Sequence, residues 1–209
     1  MTALTRRAFA AGAMASLLVG CGGKGEETPP AAGADTRRTR GREDDPSSSS
    51  SSSANSARAL GRSTPVRLRI PAIDVDTPLI RLGLAADGTV QVPPITADDR
   101  AGWYRHSPTP GQVGPSVILG HVTVGEYGDG VFRRLNELRR GDRIVARRED
   151  GTSAEFAVSA VRTVAKADFP AQEVYGDVKR PELRLITCGG PRTGDEYRDN
   201  VIAFATLTS

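Results

Sequence analysis

Short apolar runs, each ended after a few residues by a turn signal, constrain the fold of this chain more than any other feature. Apolar and basic residues alternate over 66–70, which is typical of a half-buried strand, and Pro71 ends that run. Asp87-Gly88 and Asp150-Gly151 are typical hairpin turns. Similar short runs occur at 79–82, 90–92, 117–119, 143–147, 154–158, 161–164, 183–187 and 201–207. This pattern predicts an all-β barrel or sandwich.

One segment has helical rather than strand-like spacing. Phe132, Leu135 and Leu138 follow one another at intervals of three residues, so they would share one face of a helix. The sequence therefore predicts one short helix over 132–138, with this apolar face turned toward the core.

The first 64 residues differ in composition from the rest. Residues 22–64 contain Gly, Pro, an Arg-rich patch and seven consecutive serines, with almost no large apolar residue, which predicts a disordered tether. The folded domain is expected over 65–209. Residues 1–64 hold nine Arg and Lys against six Asp and Glu, so they account for the whole formal charge of +3. The neutral remainder argues against a nucleic-acid partner.

The N-terminus has the pattern of an export signal over residues 1–21. Arg6-Arg7 resembles a twin-arginine signal, and an apolar stretch too short for a comfortable membrane span follows it. Leu18-Val19-Gly20-Cys21 resembles a bacterial lipobox, which predicts lipidation of Cys21 and a membrane anchor. An ordinary signal peptide and an uncleaved anchor remain alternatives. In each of these cases the protein is exported. A lipid or signal anchor would hold the folded domain on the extracytoplasmic face of the membrane, whereas an ordinary signal peptide would release it.

Three residues at the edges of apolar runs form a candidate catalytic group. His121 follows 117–120, Cys188 follows 183–187, and Arg198 precedes the run from 201. Cys188 has no evident disulfide partner in the folded part, so it is a candidate nucleophile. A nearby cation favours the thiolate, a His can protonate a leaving amine, and a guanidinium can stabilise an oxyanion. On this pattern alone, Cys188 could equally be a small buried core residue.

The amino-acid sequence around these residues resembles that of the sortases, and most closely that of the actinobacterial class F. The resemblance covers roughly residues 65–208. Its most specific parts are the Leu-x-Thr-Cys segment and the chain order His, Cys, Arg. The segments that carry it are 101–104, 108–111, 114–116, 119–122, 131–135, 183–188 and 197–201.

The resemblance implies an eight-stranded β-barrel with short helices and a cysteine transpeptidase activity. Such an enzyme cleaves an LPxTG-like sorting signal after its Thr and transfers the acyl group to an amine on a peptidoglycan precursor or a protein. The family's His, Cys and Arg correspond to His121, Cys188 and Arg198, and Thr187 matches a position associated with substrate contacts. The family usually has an N-terminal transmembrane helix, and a lipid-anchored signal would be a departure from it.

Other features of the sequence have simpler interpretations. No cofactor or protein-ligated metal is expected, and Glu126 and Asp129 are interpreted as residues of a solvated loop rather than as calcium ligands. The arginine pairs at 133–134, 139–140 and 147–148 are interpreted as solvated surface. The main alternative function is an inactive sortase-like barrel that binds extended peptides. An L,D-transpeptidase is disfavoured, because residues 187–190 lack the Ser and Gly pattern around its Cys.

Overall fold

The computed structural model describes residues 57–95, 100–194 and 196–209. The predicted export signal, Cys21 and most of the predicted tether lie outside the described residues. Eight strands form a closed barrel in the order β1-β2-β3-β4-β7-β8-β6-β5. The strands are β1 Pro65–Ile70, β2 Val75–Leu82, β3 Ala101–Tyr104, β4 Gly114–Leu119, β5 Arg143–Arg148, β6 Ser153–Ala165, β7 Pro181–Thr193 and β8 Glu196–Leu207. The prediction of an all-β barrel is confirmed.

Helical structure within the described ranges is short. The α-helix α1 spans Ala171–Tyr175, and 3-10 turns lie at Pro71–Ile73, Gly125–Tyr127, Leu135–Glu137 and Lys166–Asp168. The helix predicted over 132–138 is only the 3-10 turn Leu135–Glu137, although Phe132, Leu135 and Leu138 are all buried. A segment this short cannot offset the cost of helix nucleation, and packing against the core holds it instead.

The strands have two apolar faces. The inner face fills the barrel with a cluster that includes Leu68, Ile118, Phe156, Leu185 and Ala203. A smaller outer cluster consists of Val117, Val174, Ile186 and Ile202, packed with Leu119, Val164, Phe169 and Phe204. Because α1 supplies Val174 to the outer cluster, the connection between β6 and β7 covers part of the outer surface.

Residues 57–64, which the sequence analysis placed in the tether, contact the barrel. Leu60 packs against the inner core, and its backbone N–H donates to the carbonyl of Gly111 at 2.8 Å. The guanidinium of Arg148 is buried and donates to the carbonyl of Gly61 at 2.7 Å. The interpretation of Arg148 as solvated surface is therefore wrong, because it joins this segment to the end of β5. These contacts begin before the predicted boundary at residue 65.

Candidate active site at one end of the barrel

Three adjacent strands position the candidate residues. β4 runs parallel to β7, and the last residue pair between them is Leu119 with Ile186. His121 and Cys188 each lie two residues beyond that pair, so they occupy equivalent positions at the end of β4 and along β7. On the other side, β7 pairs antiparallel with β8, where Cys188 is opposite Asn200.

The alternation of side chains along β7 and β8 puts Cys188 and Arg198 on one face. Ile186 and Ile202 belong to the outer cluster. Successive side chains along a strand point to opposite faces, so Cys188 and Arg198 share the outer face with them. Leu119 also belongs to the outer cluster, and His121 follows it two residues beyond the end of β4. Arg198 lies two residues before Asn200, the partner of Cys188, so the two positions are about 7 Å apart along β8.

Cys188 is a half-buried free thiol that lines an open cavity of about 570 Å³ at the end of the barrel. We call this the mouth cavity. β4 ends at Leu119 whereas β7 continues to Thr193, so Cys188 lies beyond the paired part of β4. The mouth cavity is lined by Val122, Thr123, Asp129, Phe132, Arg133, Arg134, Asn136, Glu137, Thr163, Thr187, Cys188, Gly189, Gly190, Tyr197 and Val201.

His121 is held by two contacts from elsewhere in the chain. Its Nε2 lies 2.6 Å from the backbone carbonyl oxygen of Pro93, in the connection between β2 and β3. Its own carbonyl accepts a hydrogen bond from the N–H of Phe132 at 2.9 Å. The contact with Pro93 had no signal in the sequence, because a backbone carbonyl carries no residue-specific pattern.

Arg198 is exposed and lines a separate hollow of about 440 Å³. Lys166, Thr193, Glu196 and Tyr197 complete that hollow, and Tyr197 also lines the mouth cavity. The structure thus puts His121 just beyond β4 and Cys188 at the equivalent position along β7, and it puts Arg198 on the same face as Cys188 in the adjoining hollow.

Thr187 has the opposite orientation to Cys188. Its neighbour two residues away, Leu185, belongs to the inner core, so Thr187 also points toward the inside of the barrel. Thr187 is only 4% exposed, and its Oγ1 has no hydrogen-bond partner among the described residues. A buried hydroxyl without a partner is unfavourable, and this one borders the mouth cavity.

Two glycines are required by the packing around the site. A Cβ on Gly120 would lie 2.6 Å from the ring of Phe132, so no larger residue fits between β4 and His121. Gly190 has φ +72°, a backbone conformation that residues with a Cβ rarely adopt. It lies where the pairing of β7 with β8 becomes irregular, next to Cys188. Gly120 thus leaves room for the side chains of Val131 and Phe132.

Charged side chains of both signs surround the mouth cavity. Arg133 forms an ion pair with Asp129, and Arg134 pairs with Glu137 at 2.9 Å and with Asp74 at 2.8 Å. These arginines are partly exposed, as expected, but they also form a wall of the cavity that contains Cys188. The sequence did not indicate that Arg133 and Arg134 line this cavity, because the loop that carries them reaches β7 only when the barrel closes.

A buried ion pair supports β7 beneath the outer cluster. The carboxylate of Glu182 contacts Arg184, and both side chains are less than a tenth exposed. The guanidinium of Arg184 also lies 4.7 Å from the centre of the Phe204 ring. Burial favours the neutral acid of Glu182, but hydrogen bonds from Arg184 and Arg180 outweigh it and lower the pKa of that carboxyl.

No group of three or more His, Cys, Asp or Glu side chains within the described ranges is arranged to hold a metal ion. In that same part of the chain, no helix has the length and apolar character needed to cross a membrane.

The fold and this end of the barrel define a class of protein, a closed eight-stranded β-barrel with a thiol-bearing groove. The family model described as "Sortase domain" matches residues 68–208, more than half of the chain. The chain therefore belongs to the sortase family, whose members are cysteine transpeptidases that act on sorting signals at the cell surface.

Solved structures agree with this family at low sequence identity. Sortase A from Corynebacterium diphtheriae, as a lid mutant, is 19% identical over 72% of this chain and 73% of that chain, with a TM-score of 0.54. Sortase C-1 from Actinomyces oris is 21% identical over 69% and 75%, with a TM-score of 0.53. A Clostridium perfringens sortase D5 transpeptidase is 18% identical over 70% and 79%, with a TM-score of 0.52.

At these identities the likeness shows the fold. The three structures are of classes A, C and D, and the closer resemblance to class F stays a prediction. A comparison with curated protein sequences gives no significant match.

Proposed function

We propose that this protein is a sortase-type transpeptidase that cleaves an LPxTG-like sorting signal after its Thr. The acyl group would pass through a thioester on Cys188 to an amine of a peptidoglycan precursor or a protein. One observation supports the proposal: His121 and Cys188 lie at equivalent positions two residues beyond the last pair of β4 and β7, and Arg198 lies two residues before the partner of Cys188 on β8.

Each residue has one task in this mechanism. The Cys188 thiolate attacks the Thr carbonyl, and the guanidinium of Arg198 donates hydrogen bonds to the oxyanion. His121 then protonates the departing amine of the Gly residue. An incoming amine, or water, resolves the thioester and regenerates the thiol. Thr187, adjacent to the nucleophile, contacts the substrate.

The outer face offers the sorting peptide one apolar side chain near the candidate residues. Leu119 is half-buried, whereas Ile186 and Ile202 are buried in the same cluster as Val174 of α1. A half-buried apolar side chain suits the Leu or Pro of the signal, which gain by leaving water. The peptide's scissile Thr would then lie over Cys188.

We also infer where the protein works. An export signal over residues 1–21, with lipidation of Cys21 or retention of the signal, would hold the barrel on the extracytoplasmic face. The segment up to residue 56 would give it reach toward its substrates. Globomycin treatment of cells, followed by the protein's electrophoretic mobility and membrane fractionation, tests the lipid anchor.

The deciding experiment is an intact-mass measurement of the protein mixed with LPxTG-type peptides. A mass gain on Cys188 that equals the N-terminal peptide fragment, and that an added amine converts into a new amide, is the expected result. The Cys188→Ala protein is the matched control. Absence of an adduct across the peptide panel, with Cys188 also inert to iodoacetamide, would favour an inactive barrel that binds extended peptides.

A further inference from the structure

The outer face of β1 and β5 carries three arginines close together. Leu68 fills the barrel, so Arg67 and Arg69, on either side of it in β1, lie on the outer face. On β5, Ile144 belongs to the inner core, and Arg147 lies three residues further on, which puts it on the outer face as well. Arg69 and Arg147 are exposed, and Arg67 is half-buried. We call these three residues the basic face.

The basic face has fewer carboxylates than guanidiniums. Arg67 and Arg147 are direct cross-strand partners, and like charges in that position destabilise a sheet. Asp76 on β2 accepts a hydrogen bond from Arg67 and lies 3.6 Å from Nε of Arg69. The pKa of Asp76 is lowered, first by the hydrogen bond from Arg67 and also by the charges of Arg69 and Arg147. Three guanidiniums therefore act on one carboxylate.

The charges at the margins of the basic face do not remove this surplus. Arg143 forms an ion pair with Glu155, and Nη2 of Arg81 lies 3.8 Å from a carboxylate oxygen of Glu149. Each of these pairs is neutral by itself, so neither carboxylate is free to balance the basic face. A group of cations that exceeds its counter-charges attracts anions from solution.

Exposed apolar side chains lie beside the arginines. The register of β1 against β5 shifts between Pro65 and Arg67, and Val66, which the shift leaves without a partner on β5, is 43% exposed. Pro78 on β2 is also exposed, and it is directly opposite Arg67. Cations beside exposed apolar groups suit the surface of an anionic bilayer, because lipid phosphates attract the cations and the acyl boundary admits the apolar groups. A soluble polyanion would use the arginines alone.

We propose that the basic face docks on the phosphate headgroups of an anionic lipid bilayer. β1 begins at Pro65, so the chain that enters the basic face is the one that comes from the predicted membrane anchor. Around the closed barrel, β1 and β7 are four strands apart in either direction and lie on opposite sides. Docking through β1 therefore leaves Cys188 on β7 uncovered. This inference concerns the placement of the barrel and does not depend on the chemistry at Cys188.

The test is a titration of the full-length protein with vesicles of phosphatidylcholine, with and without phosphatidylglycerol. The ratio of the two affinities cancels the apolar contribution of the N-terminal segment. Arg69→Gln/Arg147→Gln should lower this ratio about 25-fold, since each arginine near an anionic surface contributes about fivefold to binding. The variant with Lys at both positions should retain most of the ratio, because it keeps both charges.

Arg105→Gln/Arg140→Gln is the matched control. It removes the same charge from two exposed arginines that lie in other connections of the barrel, so the ratio should change little. Urea unfolding should show that Arg69→Gln/Arg147→Gln is no less stable than the unmodified protein, because the substitution also removes the like-charge pair across β1 and β5. An equal ratio for the two double variants would overturn the docking surface.

Val66→Asn separates a bilayer from a soluble polyanion. This variant should bind vesicles with phosphatidylglycerol more weakly, while its affinity for soluble polyphosphate should match that of the unmodified protein. If Val66→Asn binds vesicles as tightly as the unmodified protein does, and soluble polyphosphate displaces both from them, the basic face binds polymeric anions and the bilayer is not its partner.

Discussion

Nε2 of His121 lies 2.6 Å from the carbonyl oxygen of Pro93. A carbonyl oxygen only accepts hydrogen bonds, so Nε2 is the donor in this arrangement and carries a proton. In the neutral ring, Nδ1 is then the nitrogen with a free lone pair. The connection between β2 and β3 therefore selects the tautomer of a candidate acid–base residue.

We expect nitrogen-15 NMR to find His121 protonated on Nε2 at a pH where the ring is neutral. Two-bond proton–nitrogen correlations distinguish the two tautomers directly. His106, the only other histidine in the chain, is an internal reference because it is exposed. Protonation on Nδ1 alone would show that the contact with Pro93 is absent in solution.

Arg198→Ala should lower kcat/KM for thioester formation by about 100-fold, a loss typical of removing one oxyanion donor. Arg198→Lys should recover only part of this, since an ammonium keeps the charge but not the planar fork of donors. Stopped reactions analysed by mass measure the rate of adduct formation. Arg147→Ala, which removes an exposed arginine on β5, is the matched control and should leave the rate unchanged. Equal rates for Arg198→Ala and Arg147→Ala would remove Arg198 from the mechanism.

Thr187→Val should leave the protein as stable or make it more stable by about 1 kcal/mol. It keeps the shape of the side chain and removes a buried hydroxyl that has no partner in the described structure. The same variant should lower the ratio of aminolysis to hydrolysis of the thioester, because Thr187 borders the mouth cavity that Cys188 also lines. Urea unfolding gives the stability, and product analysis gives the ratio.

Ser116→Ala is the matched control for that experiment. Ser116 is also buried with an unpartnered hydroxyl among the described residues, but it does not line the mouth cavity. We expect a similar gain in stability without a change in the product ratio. A product ratio that falls equally in both variants would indicate a general effect of the core on the site.

Glu182→Gln should reduce the free energy of unfolding at pH 7 by about 3 kcal/mol, because it leaves the buried Arg184 without its counter-charge. The pKa of Glu182 is lowered in the folded protein, so its ionised form is the stabilising one. This contribution is complete above the ordinary pKa of 4.5 and is lost as the pH falls through the lower folded value. Urea unfolding from pH 7 to pH 3 should show the two proteins converging only at the acid end. A constant difference across that range would contradict the assignment.

The sequence was a good guide to the strands of this fold. Alternation over 66–70 and the turns at Gly88 and Gly151 depend on local chemistry, and the structure has a strand and two tight turns there. It was a poorer guide to helices. α1 has no apolar period of its own, and it contacts the outer cluster through Val174 and through the ring of Tyr175, which lies against Phe169.

The charges around the mouth cavity could not be predicted for a different reason. Arg133 and Glu137 lie in a loop that meets β7 only when the barrel closes, so no local pattern marks them as neighbours of Cys188. Arg148 was misjudged because its burial depends on a carbonyl at Gly61, 87 residues away in the chain. Long-range contacts of this kind have no local signature in a single sequence.

The strand order has a consequence for how the protein is made. β7 and β8, the last strands to be synthesised, lie between β4 and β6 rather than at the end of a row. A chain that stops before residue 181 would lack the nucleophile and would also leave β4 and β6 with bare edges, which promote aggregation. The barrel can therefore close only after the strand that carries Cys188 has been synthesised. An unfinished copy cannot persist as a well-folded but inactive competitor for substrate.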